Sequence, residues 1–163
     1  MNSTPLHTAY VALGSNLGDR AEHLKAALAE LPRRGVEVVR VSSFFETEPV
    51  EPPPGEEHLN YLNAAAEVRT ALEPRRLLDV LHYIEGRQGR VRTGRRHEAR
   101  TLDLDLLLYD DRVEDEEGLC LPHPRMSRRR FVLAPLAEIA PEAWHPVAKK
   151  TVRELLESLA DRA

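Results

Sequence analysis

Two aspartates separated by a single residue are the most informative feature of the sequence. They lie in the segment Arg100–Tyr109, which reads RTLDLDLLLY. Alternate side chains of a β-strand share a face, so the alternation predicts Asp103 and Asp105 on one face and the leucines at positions 102, 104, 106 and 108 on the other. Carboxylates at this spacing lie roughly 6.5–7 Å apart and can converge on one or two divalent cations, and oxygen ligands favour Mg²⁺. A strand with one solvated face explains the same alternation, so both interpretations stay open on this segment alone.

Arginines are concentrated just before these aspartates. Between Arg87 and Arg100 there are six arginines and one acid, Glu98, and four further arginines lie between Arg125 and Arg130. A divalent cation held by carboxylates next to arginines provides the charge compensation that phosphoryl transfer needs. A solvated loop with scattered, weak ion pairs is the alternative. The position of the first cluster, directly before the aspartates, favours phosphate binding.

One histidine has a rigid setting. Pro122 and Pro124 flank His123, and they hold its backbone extended and fix where the imidazole points. The ring could donate to a phosphate oxygen or to a leaving group, or His123 could be an incidental member of a set of seven histidines. Cys120, the single cysteine, is interpreted as a small buried residue without a catalytic role.

A glycine-containing segment near the N-terminus is interpreted as structural. Gly14–Asp19 reads GSNLGD and lacks the Lys-Ser/Thr pair of a phosphate-binding loop. Gly14 would permit a turn, and Asn16 or Asp19 would cap the helix that follows.

The elements that must position these residues follow the order β-α-β-β-α-β, with helical additions after them. Strands are predicted over residues 8–13, 36–45, 61–70 and 101–109, and helices over 24–31, 74–85 and 128–139, with Pro135 expected to limit or bend the last of these. Thr151 and Glu154 fit a capping box for a final helix. This order is typical of a ferredoxin-like α+β unit, an antiparallel sheet with helices on one face.

Length and composition exclude several classes of protein. The 163 residues predict a single domain over 1–163. A net charge of −4 argues against a general nucleic-acid binder, and one cysteine excludes a disulfide framework. No apolar run approaches the ~18 residues needed to cross a bilayer, and the first residues lack the features of a signal peptide. We expect a soluble, cytoplasmic monomer that binds neither nucleic acid nor membrane.

Six phrases occur in order over nearly the whole chain. They are Val11–Asn16 (VALGSN), Tyr61–Ala65 (YLNAA), Gly89–Arg92 (GRVR), Arg100–Asp105 (RTLDLD), Pro122–Met126 (PHPRM) and Phe131–Leu136 (FVLAPL). Together they resemble the 6-hydroxymethyl-7,8-dihydropterin pyrophosphokinases of folate biosynthesis. The resemblance implies a ferredoxin-like α+β fold and transfer of the β,γ-pyrophosphoryl group of ATP to the pterin hydroxymethyl oxygen, with release of AMP.

The resemblance also implies roles for the matching residues. The catalytic set would be Arg90, Arg100, Asp103 and Asp105, with Asp103 and Asp105 holding two Mg²⁺ ions. Residues near ATP would be His82, Glu85, Arg90, Arg92, Arg100, Leu106, Cys120, His123 and Arg129. Residues near the pterin would be Gly14, Thr47, Glu48, Val50, Tyr61, Asn63, Asp103 and Phe131, with Tyr61 and Phe131 on opposite sides of the ring.

The chain departs from the family pattern just before RTLDLD. Many members carry Trp-Gly-Pro there, whereas this sequence has His97, Glu98 and Ala99. Thr93 stands where some members have a lysine, and Pro124 where some have a tyrosine. We expect these changes to affect affinity more than the type of reaction.

Two other classes of protein share part of this pattern. Template-independent nucleotidyltransferases combine Gly-Ser with Asp-x-Asp, but Gly14 and Asp103 are almost ninety positions apart, far beyond their spacing within one hairpin. An RNA-binding arginine module is disfavoured by the net charge and by the neighbouring carboxylates, which would repel phosphate without a metal.

Overall fold

The computed structural model describes residues 5–16, 19–47, 60–88 and 102–160. The strands are β1 (His7–Ser15), β2 (Val36–Val41), β3 (Phe45–Thr47), β4 (Tyr61–Thr70), β5 (Asp103–Tyr109), β6 (Glu114–Glu116), β7 (Leu119–Leu121), β8 (Trp144–His145) and β9 (Lys150–Thr151). The helices are α1 (Arg20–Glu30), α2 (Pro74–Arg87), α3 (Arg130–Ile139) and α4 (Val152–Ala160). None of the described helices is long and apolar enough to cross a membrane.

The main sheet is antiparallel and has the order β2-β4-β1-β5, with β3 also paired to β4. Strand β1 is therefore central, with β4 on one side and β5 on the other. This order, with the element sequence β-α-β-β-α-β, confirms the predicted ferredoxin-like α+β fold. Two small hairpins, β6–β7 and β8–β9, lie outside this sheet.

The single strand predicted over residues 36–45 is wrong, because two strands lie there. Ser42 still exchanges hydrogen bonds with Ala65 of β4, through its backbone N–H (2.9 Å) and its hydroxyl oxygen (2.9 Å). Ser43 instead donates to Glu138 of α3, from its backbone N–H (2.7 Å) and its hydroxyl (2.8 Å). The chain leaves the sheet at this point and pairs with β4 again from Phe45.

Helices cover both faces of the sheet. Side chains of α1 and α2 form one buried cluster with the face of β1 that carries Val11 and Leu13. Helices α3 and α4 form a second cluster on the opposite face, around Ala65, Leu107 and Leu108. The predicted helical additions therefore pack on the face that the ferredoxin-like unit leaves open.

Strand β5 follows the predicted alternation at first and then departs from it. Its register pairs Asp103 with Gly14, but shifts between Tyr10 and Val11 of β1. Such a bulge inserts one extra residue and reverses the faces beyond it. Leu108 therefore packs in the second cluster, so its predicted place beside Leu104 is wrong.

The predicted helix ends are largely confirmed. The Asp19 side chain accepts a hydrogen bond from the backbone N–H of Glu22 at 3.2 Å, which makes Asp19 the cap of α1. Thr151 and Glu154 form the reciprocal capping box, at 2.9 and 3.2 Å. Helix α3 continues through Pro135, at the cost of one backbone hydrogen bond.

Candidate active site

Three residues from three neighbouring strands form one row across the sheet. Gly14 of β1 lies directly opposite Asn63 of β4 and, on its other side, directly opposite Asp103 of β5. Residues directly opposite each other in antiparallel strands share a face. Asn63 and Asp103 therefore stand on the same face of the sheet, on either side of a position without a side chain. We call this arrangement the central row.

Gly14 is needed in this row for space. It lies within β1, so its predicted role in permitting a turn is wrong. A Cβ atom at this position would lie 3.0 Å from Asn63 Oδ1 and 3.9 Å from Tyr61 Cδ1. Because Gly14 has no side chain, the space between the Asn63 amide and the Asp103 carboxylate stays open.

The β4 side of the row carries polar and aromatic groups. Asn63 is buried, and its Nδ2 donates a short hydrogen bond to Thr47 Oγ1 of β3. Tyr61 lies directly opposite Thr47, and Phe45 directly opposite Asn63. The structure thus brings together Gly14, Thr47, Tyr61 and Asn63, as expected for a pterin site, and adds Phe45.

Phe131 and Arg129 lie where α3 begins. The Arg129 guanidinium carbon is 5.5 Å from the centroid of the Phe131 ring, a cation–π distance. Phe131 also packs against the second cluster. The ring and the guanidinium of this pair therefore belong to the same face as the central row.

The backbone between the two aspartates is hydrogen-bonded to a buried carboxylate from α2. Asp103 and Asp105 are half-buried, on the same face of β5. Between them, the backbone N–H of Leu104 donates to Glu85 Oε2 at 2.8 Å. Glu85 is 3% exposed, so it fixes the outer edge of β5 at the residue between the aspartates.

A cavity of about 250 Å³ lies beside this edge. Its lining includes His82 of α2, Asp105 and Leu106 of β5, Cys120 of β7, and His123. Four of these, all except Asp105, are residues expected near ATP. The cavity therefore places the nucleotide candidates around the strand that carries both aspartates.

Cys120 is exposed, so the interpretation of it as a buried residue is wrong. Leu119 and Leu121 on either side are buried. The alternation of a short strand accounts for this pattern, because it turns the middle side chain away from the core.

His123 is fixed at both its backbone and its ring. Its N–H donates to the Leu107 carbonyl at 2.9 Å, and its Nδ1 accepts from the Arg125 N–H at 3.1 Å. Burial lowers the pKa of the imidazole, the charges of Arg129 and Arg125 lower it further, and Asp103 opposes them. A neutral ring whose Nδ1 accepts carries its proton on Nε2, so His123 is a hydrogen-bond donor at that atom.

Two carboxylates on one face suit Mg²⁺. Among the residues that the structure describes, no group of three or more His, Cys, Asp or Glu side chains could hold a metal ion. Mg²⁺, however, is commonly held by one or two carboxylates together with water and substrate phosphates. Asp103 and Asp105 supply such hard oxygen donors beside the cavity, so the donor set fits this ion.

Several expected site residues lie outside the described residues. They are Glu48, Val50, Arg90, Arg92 and Arg100. His97, Glu98 and Ala99, where the sequence departs from the family pattern, lie outside them too.

Sequence reasoning missed Arg20, in the first turn of α1. Its Nη1 donates to Glu46 Oε1 at 3.0 Å and to the Asn60 carbonyl at 2.7 Å. No periodicity points to this residue, because both partners are distant in sequence. An arginine directly after the predicted Asp19 cap is the one local signal that could have drawn attention to it.

Paired carboxylates beside a cavity, on an antiparallel sheet flanked by helices, are typical of an enzyme that transfers phosphate-containing groups. Comparison with known proteins gives the particular family. The profile of the 7,8-dihydro-6-hydroxymethylpterin-pyrophosphokinase (HPPK) family matches residues 10–141. This chain therefore belongs to that family, whose members are pyrophosphokinases of folate biosynthesis.

Individual relatives support this assignment. The 2-amino-4-hydroxy-6-hydroxymethyldihydropteridine pyrophosphokinase of Haemophilus influenzae is 43% identical over 155 residues, which cover 94% of each protein. The enzyme of the same name from Bacillus subtilis is 48% identical over 132 residues, covering 80% of this chain and 77% of the relative.

Solved structures show the same fold. The crystal structure of a Plasmodium falciparum HPPK-DHPS with pterin and p-hydrobenzoate has a TM-score of 0.74 and 16% identity, over 99% of this chain. This chain spans 46% of that longer chain, so the likeness concerns the fold of the shared part.

Proposed function

We propose that the central row is where this pyrophosphokinase transfers the pyrophosphoryl group of ATP to 6-hydroxymethyl-7,8-dihydropterin. Adjacent strands are about 4.8 Å apart, so Asn63 and Asp103, two strands from each other, are separated by about 9.5 Å. A two-ring heterocycle with a one-carbon arm can bridge such a span. The row itself, an amide and a carboxylate with a glycine between them, is the observation that carries this proposal.

The pterin ring would lie on the β4 side of the row. The Asn63 amide, oriented by Thr47, can pair with the polar edge of the ring, and Tyr61 and Phe131 offer aromatic surface to its faces. Glu48 and Val50 stay predictions of the family resemblance. The arrangement directs the hydroxymethyl arm toward Asp103.

The nucleotide would occupy the cavity on the outer side of β5. His82, Leu106 and Cys120 line its walls, and His123 with Arg129 would contact the phosphates. The Nε2–H of His123 can donate to a phosphate oxygen. Asp105 lies both in this cavity and on the face of Asp103, so the phosphate chain would run from the cavity toward the row.

The reaction forms one bond and breaks one. The pterin hydroxymethyl oxygen attacks the β-phosphorus, and the bond from this phosphorus to the α–β bridging oxygen breaks. AMP leaves with that oxygen, and the hydroxyl proton is released. Two Mg²⁺ ions held by Asp103 and Asp105 would offset charge on the attacking and leaving sides.

Glu85, which the family resemblance predicts near the nucleotide, would also act through the strand. Its carboxylate is buried and accepts from the Leu104 N–H, and would hold in place the backbone that carries the two aspartates. Arg90, Arg92 and Arg100 would bind the phosphates, as the family resemblance predicts. The single domain over 1–163, the monomeric state and the cytoplasmic location also stay predictions.

Formation of AMP from ATP and Mg²⁺, with and without the pterin, tests the reaction. We expect pterin-dependent AMP, and we expect Asp103→Ala and Asp105→Ala each to abolish it while circular dichroism stays unchanged. Asp111→Ala, which removes an exposed carboxylate beyond the end of β5, is the matched control and should retain activity. Release of pyrophosphate in place of AMP would show nucleotidyl transfer and contradict the proposal, as would full turnover by either aspartate variant.

A further inference from the structure

We propose that Arg20 is a positioning residue for the pterin, acting from the face of the sheet opposite the central row. This inference rests on the proposed function, since it concerns the pterin side of that site. It assigns to the start of α1 a role in substrate affinity rather than in catalysis.

One guanidinium nitrogen ties together two strands of the pterin side. Arg20 Nη1 donates to Glu46 Oε1 at 3.0 Å and to the Asn60 carbonyl at 2.7 Å. An Arg Nη carries two hydrogens, so one atom can serve both acceptors. Glu46 directly precedes Thr47, and Asn60 directly precedes Tyr61. Thr47 and Tyr61 are themselves opposite each other in β3 and β4.

Strand β3 needs such support because it has three residues, Phe45–Thr47. The residues before it are held from one face of the sheet, where Ser43 donates twice to Glu138 of α3. Its middle residue, Glu46, is held by Arg20 of α1. Removing Arg20 would leave Glu46 and Thr47 to their pairing with β4, and would loosen the Thr47 hydroxyl that orients Asn63.

Arg20 acts at a distance from the substrate. Glu46 lies opposite Leu62, which packs against the first core cluster, so this pair faces α1 and α2. Asn63 and Thr47 face the other way. The Arg20 and Glu46 side chains are 28% and 56% exposed, and ion pairs this solvated contribute little to global stability. The expected effect is therefore local, on the geometry of the pterin side.

Steady-state kinetics of Arg20→Ala with the full chain tests this role. We expect the KM for 6-hydroxymethyl-7,8-dihydropterin to rise about tenfold, equivalent to about 1.4 kcal/mol. We expect kcat and the KM for ATP to stay within about twofold. Arg153→Ala breaks an exposed ion pair with Glu142 at the C-terminal end of the fold and is the matched control, with all three parameters unchanged.

A second variant shows whether Arg20 works through its carboxylate partner. Glu46→Ala should raise the pterin KM by less than Arg20→Ala does, because the Asn60 contact remains. The double variant should be no worse than Arg20→Ala alone, since partners in contact give non-additive effects. Glu46→Ala also provides the test if Arg20→Ala does not fold.

Three outcomes would overturn the inference. Arg20 does not position the pterin side if the pterin KM of Arg20→Ala is unchanged, or if the KM values for pterin and ATP rise equally. Strictly additive effects of Arg20→Ala and Glu46→Ala would show the same. A wild-type chain that forms no pterin-dependent AMP would overturn the proposed function and this inference with it. The two failures are distinguishable because only the second is seen without any substitution.

Discussion

Replacing Gly14 by alanine places one methyl group in the middle of the central row. The backbone of Gly14 is that of a strand residue, so alanine can adopt it without strain. The added Cβ would lie 3.0 Å from Asn63 Oδ1, a contact that requires the amide to move. The substitution therefore tests the space above Gly14 and the position of Asn63, with the backbone left as it is.

The cost follows from what holds the Asn63 amide. The amide donates to Thr47 Oγ1, and a hydrogen bond of this kind contributes about 0.5–1.5 kcal/mol. Forcing an extra methyl group into a packed site costs about 1–3 kcal/mol. If about 1.4–2.8 kcal/mol of this total opposes pterin binding, the affinity for the pterin falls about 10- to 100-fold.

Equilibrium binding of the pterin, in the presence of Mg²⁺ and a non-cleavable ATP analogue, measures this loss directly. The Kd for the analogue itself should stay within about twofold, because the cavity lies on the other side of β5. Gly86→Ala is the control, since a Cβ at this exposed position in α2 meets nothing within 4 Å. That variant should gain up to about 1 kcal/mol of stability with unchanged binding. Wild-type pterin affinity in Gly14→Ala would refute the assignment of the central row.

Three further predictions concern other parts of the fold. Glu85→Ala removes the acceptor of a buried N–H, so denaturant unfolding should show a loss of about 1–3 kcal/mol in stability, and AMP formation should show a fall in kcat of about 100-fold. Glu85→Gln keeps an acceptor and should retain most of the stability. Equal losses in both variants would contradict this account. Arg75 donates to Glu116 at 2.8 Å and so links α2 to the β6–β7 hairpin beside the cavity. Arg75→Ala should therefore raise the KM for ATP but not the KM for the pterin. Thr151→Ala should lower stability by about 1 kcal/mol without changing the kinetics. The backbone N–H of Thr151 and, secondly, its hydroxyl lower the pKa of Glu154. The carboxylate half of the capping box is therefore present above the usual carboxyl pKa and is lost as the pH falls through the lowered one. Because the backbone N–H remains in Thr151→Ala, an unchanged stability in this variant would contradict the capping role of the hydroxyl.

Local patterns in the sequence predicted the order of the elements and which residues of β5 share a face with the two aspartates. Strict alternation placed Asp103 and Asp105 together, and the register with β1 agrees. Beyond Leu106 the alternation carried no information, because residues 106–109 are four apolar residues in succession and show no period. The bulge in this segment places Leu108 on the other face. A bulge is set by the partner strand, so the sequence of one strand does not reveal it.

The composition of the site was less predictable than the fold. Gly14 was assigned to a turn because a glycine after an apolar run is typical of one, whereas its actual constraint comes from Asn63 in another strand. Arg20 was missed because its partners, Glu46 and Asn60, follow it by 26 and 40 positions. Contacts of this kind depend on the sheet order, and that order becomes specific only when the strands pair.

The sheet order also explains why the two substrates would be supported by different helices. Central strand β1 contributes Gly14 to the row, and a position without a side chain offers no side-chain group to orient either substrate. Orientation must come from the neighbouring strands, and a helix is hydrogen-bonded to each of them. Arg20 of α1 donates to Glu46 of β3 and to the carbonyl just before β4, and Glu85 of α2 accepts from β5. Substitution of Arg20 in α1 should therefore alter pterin affinity, and substitution of Glu85 in α2 should alter turnover. Because Arg20 and Glu85 act on the backbone or on a neighbouring residue, these two side chains can control how a substrate is bound without contacting it.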